Sequence, residues 1–146
     1  MKVKDILNKK GPEVITIWEE KTIMEALDTL VQNKIGALLV LDEHGKIRGI
    51  ISERDLLRVF HTRLAEVKQV KIKEAMVKKV IIGDPEDTLE YIENIMTENK
   101  IRHVPIIAKK RLVGIISIGD IVKALSSSFK SENRYLRGFI EGTYTL

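Results

Sequence analysis

Two short stretches of this sequence hold side chains at a spacing that can do chemistry: Gly49-Ile-Ile-Ser52-Glu-Arg-Asp55 and Gly114-Ile-Ile-Ser117-Ile-Gly-Asp120. Each runs from an apolar segment into a Ser with an Asp three residues later. A Ser-x-x-acid spacing caps a helix start, the hydroxyl accepting from an early amide and the acid reaching back. The same geometry suits a second task. A helix start presents unpaired N–H groups and a positive dipole end, which favour phosphate. An Asp there accepts two hydrogen bonds from a vicinal diol such as ribose, and the Gly lets a flat ring or another backbone come close. Phosphate and ribose recognised together imply a nucleotide. Taken singly, either stretch reads as a capped helix; the recurrence 65 residues apart is what favours binding.

Other chemistries find no support in the sequence. There is no cysteine, which excludes disulfides and thiolate metal sites. His44, His61 and His103 fall in a turn, a helix and a strand, without metal-ligand spacing. Gly114 and Gly119 have P-loop spacing, but Asp120 stands where the phosphate-binding Lys belongs. Asp55 and Asp120 form a carboxylate pair in principle, yet equivalent places in a repeat suggest binding twice, not complementary acid and base roles. No catalysis, catalytic cofactor or metal is expected.

The elements that must position these residues come from an internal repeat. Thr22–Ile35 aligns with Thr88–Ile101 at an offset of 66, and both segments end in Asn-Lys-Ile. Ile35–Val40 then overlies Ile101–Ile106, and a turn one residue shorter in the second copy brings the two Gly-Ile-Ile-Ser stretches together. Upstream, Val14–Ile17 matches Val80–Gly83, and Val3–Leu7 resembles Ile72–Met76. In the first copy, 14–17 reads as a strand. The segment 22–33 reads as a helix, with Ile23, Ala26, Leu27, Leu30 and Val31 on one stripe and Thr22 with Glu25 as a capping box. The run 36–41 reads as a buried strand, 46–52 as its hairpin partner and 55–64 as a second helix. The expected class is α+β: two pseudo-twofold β-α-β-β-α repeats, at 1–66 and 67–125, closing one globule, with a tail at 126–146. Neither copy alone covers both faces of its sheet, so ligand sites are expected in twos, between the copies. The tail, with Phe129, Tyr135, Phe139 and Tyr144, reads either as a helix docked on its own domain or as a contact with a second subunit.

Composition narrows the class further. Hydrophobic residues at 44% against 32% charged indicate a folded globular chain and not a disordered one. No apolar run approaches the ~18 residues of a membrane span, and the basic N-terminus lacks an apolar export segment; a cytoplasmic protein is expected. The net charge of +4 resides mainly in 67–125, with 11 basic and 8 acidic residues. That mild surplus attracts anions, but the repeats lack the interleaved aromatics of a nucleic-acid binder, so nucleic acid is not the expected partner.

The Thr-x-x-Glu-Ala-Leu helix, the Ile-Gly-Ala-Leu-Leu-Val and Ile-Arg-His-Val-Pro-Ile strands, and the doubled Gly-Ile-Ile-Ser-x-x-Asp junction together resemble a pair of CBS (cystathionine β-synthase) domains, the Bateman module. The resemblance covers about 125 of the 146 residues. It implies a regulatory, non-catalytic module with two clefts for adenosine nucleotides, most often AMP, ADP or ATP, and in some members S-adenosylmethionine or NAD. It also implies a homodimer and a regulated partner protein; the alternative is a ligand-free scaffold. By this resemblance Asp120 holds ribose and Ser117 phosphate in one cleft, with Arg102 and His103 as phosphate partners and Lys21, Ala26, Ile35 and Gly36 around the base. In the other cleft Asp55 and Ser52 take those roles, Arg54 meets phosphate, and Asp87, Ile92, Ile101 and Arg102 face the base. Because Gly36 and Ala37 occupy the places of Arg102 and His103 in the first copy, the Asp120 cleft is expected to bind phosphorylated ligands more tightly.

Overall fold

The structure, a computed structural model, describes residues 1–11 and 13–126. The aromatic segment of the tail lies outside the described residues. In chain order the elements are α1 (Val3–Lys10), β1 (Thr16–Trp18), α2 (Ile23–Asn33), β2 (Ala37–Leu41), β3 (Ile47–Ser52), α3 (Glu53–Thr62), α4 (Ile72–Ala75), α5 (Leu89–Asn99), β4 (His103–Ala108), β5 (Arg111–Ser117) and α6 (Ile118–Leu125). The chain is α+β, built from two like halves. Strands β1, β2 and β3 form one sheet, with β1 parallel to β2 and β2 antiparallel to β3; β4 and β5 form an antiparallel pair. Both hairpins shift register at equivalent places, Val40/Leu41 and Ile106/Ile107.

Local sequence accounts for the helix ends. The Thr22 hydroxyl accepts from the Glu25 amide at 3.2 Å, and the Glu25 carboxylate accepts from the Thr22 amide at 2.8 Å, closing the box anticipated there. Helix α3 starts at Glu53 and not at 55, because Ser52 is its N-cap and Asp55 its third residue. Helices α2 and α5 each end on a left-handed lysine, Lys34 and Lys100, both at φ 54°. These residues turn the chain from helix into strand.

The second copy lacks the strand anticipated at 80–83. Only Gly83 bridges, to Ile106, its amide donating to the Pro105 carbonyl and its own carbonyl accepting from the Ile107 amide. A Cβ on Gly83 would lie 2.8 Å from Ile92 Cδ1 and 3.0 Å from Ile106 Cδ1, so this segment passes too close to its neighbours to carry a side chain there.

Two apolar cores result, and each takes a helix from outside its own repeat. Val3 and Ile6 of α1 pack with Leu89, Ile92, Val104 and Ile116 of the second half. Val70, Ile72 and Met76 around α4 pack with Ile23, Leu38 and Ile51 of the first. The resemblance between 3–7 and 72–76 is therefore structural: each segment precedes one repeat and seals the other's core. Burial favours the exchange: Val3 and Ile72 are fully buried where they now lie.

Candidate functional site

The two Ser-x-x-Asp junctions lie where a strand, β3 or β5, runs directly into a helix, α3 or α6. At the first, the Asp55 carboxylate accepts from the Ser52 amide at 2.8 Å and the Ser52 hydroxyl at 3.1 Å, and Arg58 Nη1 donates to its other oxygen at 3.3 Å. At the second, the box is reciprocal: the Ser117 amide donates to Asp120 at 2.8 Å and the Asp120 amide to the Ser117 hydroxyl at 3.0 Å. The carboxylates differ in access. The Asp55 side chain is 6% exposed and that of Asp120 23%.

Each junction faces the other repeat across a cleft. The Asp55 cleft, about 500 Å³, is closed by Val80 and Ile81 and by the α5–β4 turn, Lys100 to His103. The Asp120 cleft, about 320 Å³, is closed by Val14 and Ile15 and by the α2–β2 turn, Lys34 to Ala37. Both volumes fall in the range of small-molecule sites. Gly36 and His103 line both clefts, so the partition between them is one glycine and one imidazole thick.

The electrostatics of the two clefts differ. In the Asp120 cleft, Lys10 Nζ donates to Asp120 Oδ2 and to the Ile115 carbonyl, both at 2.8 Å. Burial is the largest single influence on the Asp120 carboxyl and acts upward. The bond from Lys10 and that from the Ser117 amide outweigh it and hold the group below its ordinary value. His103 is held below its ordinary value, first by burial and then by the Lys10 charge, with Glu53 and Asp120 acting in the opposite sense. Its neutral form is favoured.

The structure places the anticipated residues as follows. Ile101, Arg102, His103 and Arg54 line the Asp55 cleft with Ser52 and Asp55; Ile35, Gly36 and His103 line the Asp120 cleft with Ser117 and Asp120. Arg102 does not reach the Asp120 cleft. Arg102, just ahead of β4, lines the Asp55 cleft, while His103 lines both. Arg102 thus takes the place anticipated for it in the Asp55 cleft, beside Arg54 and Arg58, and is not among the residues lining the Asp120 cleft, where it was also expected as a phosphate partner.

Four residues lie outside both clefts. Ala26 and Ile92 are fully buried on the core-facing stripes of α2 and α5. Lys21 sits in a separate groove with Trp18 and Glu25, and Asp87 accepts from the Asp84 amide at 2.8 Å. The reason is helix length. Lys21 and Asp87 precede 11-residue helices about 16 Å long, and the clefts lie at the far ends.

Sequence reasoning missed the lysines. Lys10 lines the Asp120 cleft and Lys79 the Asp55 cleft. The offset of 69 that aligns Val3 with Ile72 also aligns Lys10 with Lys79, and Lys9 with Lys78. Extending that weak match by a few residues finds them.

Comparison with known proteins bears on this arrangement. The CBS domain family model matches twice, over residues 3–62 and 70–127. The chain is 32% identical over 150 residues to the mitochondrial CBS domain-containing protein CBSX3 of Arabidopsis thaliana, covering 97% of this chain and 73% of that protein. It resembles the CBS-domain containing protein ATU1752 from Agrobacterium tumefaciens, with a TM-score of 0.83 and 42% identity over 85% of this chain and 98% of the other. It also resembles the CBS domain pair of protein MJ0100, solved in complex with 5'-methylthioadenosine and S-adenosyl-L-methionine. There the TM-score is 0.74 at 32% identity, over 86% of this chain and 100% of the other.

Proposed function

This chain belongs to the CBS domain family as a tandem pair, a regulatory module, and we propose that it is a non-catalytic sensor taking adenosine nucleotides of AMP, ADP or ATP type between its repeats. One observation carries the reading. In both clefts a capped helix start presents a Ser and a carboxylate to the helix–strand turn of the opposite repeat, across a gap of small-molecule size. Asp55 and Asp120 would accept from the ribose hydroxyls, and Ser52 and Ser117, with the amides at the starts of α3 and α6, would meet phosphate. Ile35 and Ile101 offer apolar contact to the base. The adenosyl ligands of the MJ0100 pair support an adenosyl specificity and keep S-adenosylmethionine within the ligand class; NAD shares the same adenosyl half.

Occupancy would act by closing the two repeats on one ligand and shifting how the module pairs. The apolar groove between α2 and α3, with Leu27, Leu56 and Phe60, leaves Val31 67% and Leu57 70% exposed. A second copy of the chain covers that face in this reading, giving a homodimer that reports to a partner protein in the cytoplasm. No helix among the described residues is long and apolar enough to cross a membrane. The alternative, a ligand-free scaffold, keeps the dimer and dispenses with the clefts.

The test is titration calorimetry of adenosine, AMP, ADP, ATP and S-adenosylmethionine against wild type, Asp55→Asn and Asp120→Asn. Each substitution is expected to weaken one binding event by about tenfold or more, the loss of a charge-assisted diol contact. Heat absorbed or released by none of the five would leave the scaffold reading in its place.

A further inference from the structure

We infer that the Asp55 cleft is a polyphosphate site, selective for nucleoside di- and triphosphates, while the Asp120 cleft is indifferent to the number of phosphates. The inference rests on the nucleotide reading above and assigns a ligand class to each cleft.

The observation is the balance of charge on the walls. Five cationic side chains line the Asp55 cleft: Arg54, Arg58, Lys79, Lys100 and Arg102. Glu53 and Asp55 are its carboxylates, so the lining carries a net +3 with His103 neutral. The Asp120 cleft carries Lys10 and Lys34 against Glu13 and Asp120, a net charge of zero. The two clefts are related by the repeat, so this difference is not a property of the shared fold. It comes from particular positions: Arg54 stands where the second copy has Gly119, and Arg102 where the first has Gly36.

Availability sharpens the contrast. Lys10, the lysine at the mouth of the neutral cleft, is already bound to Asp120 and the Ile115 carbonyl. Its counterpart Lys79, with Arg54, Lys100 and Arg102, forms no ion pair among the described residues, and all four are exposed. Only Arg58 is engaged, with Asp55. Unpaired guanidinium and ammonium groups around a concave wall concentrate anions and bond phosphate oxygens with charge assistance. A single phosphate satisfies one or two of them. A di- or triphosphate chain extending from the Ser52 end of α3 along Arg102 and Lys79 engages several. The larger volume, about 500 Å³ against about 320 Å³, accommodates that chain.

The inference is tested by titration calorimetry with inorganic tripolyphosphate, adenosine, AMP and ATP. The proteins are wild type, the double variant Lys79→Gln/Arg102→Gln, and Lys46→Gln as an exposed turn lysine away from both clefts. Wild type and Lys46→Gln are expected to bind ATP at least tenfold more tightly than AMP, and to bind tripolyphosphate. The double variant should lose about a hundredfold in ATP affinity at the Asp55 cleft, about tenfold per cation, lose tripolyphosphate binding, and keep at the Asp120 cleft an event of like affinity for AMP and ATP. Both side chains are exposed, and thermal melting checks that the fold is intact. ATP binding no tighter than AMP, ATP affinity unchanged in the double variant, or tripolyphosphate bound equally by both proteins would each overturn the inference while leaving the nucleotide reading standing. Tripolyphosphate bound through Lys79 and Arg102 with no binding of adenosine or AMP would do the reverse, keeping the anion site and removing the nucleoside. Absence of every binding event overturns both.

Discussion

The imidazole of His103 lies against Gly36: a Cβ built on Gly36 would meet His103 Cε1 and Nε2 at 3.4 Å and Glu53 Oε1 at 2.8 Å. Because these two residues are the common wall of both clefts, a methyl group there is felt in both. Glu53 is an exposed, flexible side chain that can swing aside, so Gly36→Ala is expected to cost less than about 1 kcal/mol of stability. It should nevertheless weaken binding in both clefts together. Chemical denaturation and titration calorimetry on the same variant separate the two effects; a loss confined to one cleft would contradict the shared wall.

Glycines further along the strands measure how firmly the exchanged segments are seated. A Cβ on Gly49 would lie 2.7 Å from the Val77 carbonyl oxygen and 2.8 Å from Met76 Sδ, while one on Gly114 would strike Leu7 Cδ2. Backbone cannot yield as a leucine rotamer can. Gly49→Ala is therefore expected to destabilise by about 1–3 kcal/mol, and Gly114→Ala by less. Leu7→Ala should restore part of the Gly114→Ala loss, because it removes the clash itself. A double-mutant cycle by urea denaturation reads this coupling; strict additivity would mean that α1 does not sit on β5.

Lys100 offers a separation of stability from binding. Its φ of 54° is left-handed, which favours glycine over a side chain. Lys100→Gly relieves that strain but frees the unfolded chain, so stability should range from unchanged to about 1 kcal/mol higher. The same change removes a cation from the Asp55 cleft, and ATP affinity should fall about tenfold. Thermal melts are expected to hold or rise while calorimetry shows ATP affinity falling.

The pH response follows from His103. Its folded pKa lies below the ordinary value of about 6.5. Between the two values the unfolded chain binds more protons, so stability rises with pH through that window. The His103 contribution is complete above about 6.5 and is lost as pH falls from there through the folded pKa. His103→Gln should therefore lose less stability than wild type between about pH 7 and 5, measured by denaturant midpoints. Asp120, also lowered, acts in a lower window, its contribution lost as pH falls below about 4.

Most of the secondary structure was legible in the sequence, for local reasons. The apolar stripe of α2, the Thr22–Glu25 box and the Asp42–Gly45 turn are written within a few residues of where they act. The Ser and Asp at each junction could be read as a pair because three residues separate them. The strand anticipated at 80–83 is reduced to the single bridge of Gly83 to Ile106, a pairing with a partner 23 residues away that the local pattern does not show. The Ser-x-x-Asp spacing does not reach Lys10 and Lys79, because Lys10 is 110 residues from Asp120; only the weaker 69-residue offset relates the two lysines.

The sequence by itself determined that the chain is a repeated unit with two capped strand–helix junctions, because periodicity and capping depend on neighbours three or four residues apart. Only the tertiary structure decided which cleft receives which side chains. The pseudo-twofold arrangement sets Lys10 against Asp120, 110 residues later, and directs Arg102 toward Asp55. The Asp55 cleft, for which the sequence named only Arg54 and Arg102, gathers five cations because Arg58, Lys79 and Lys100 are brought to it from three separate stretches of chain.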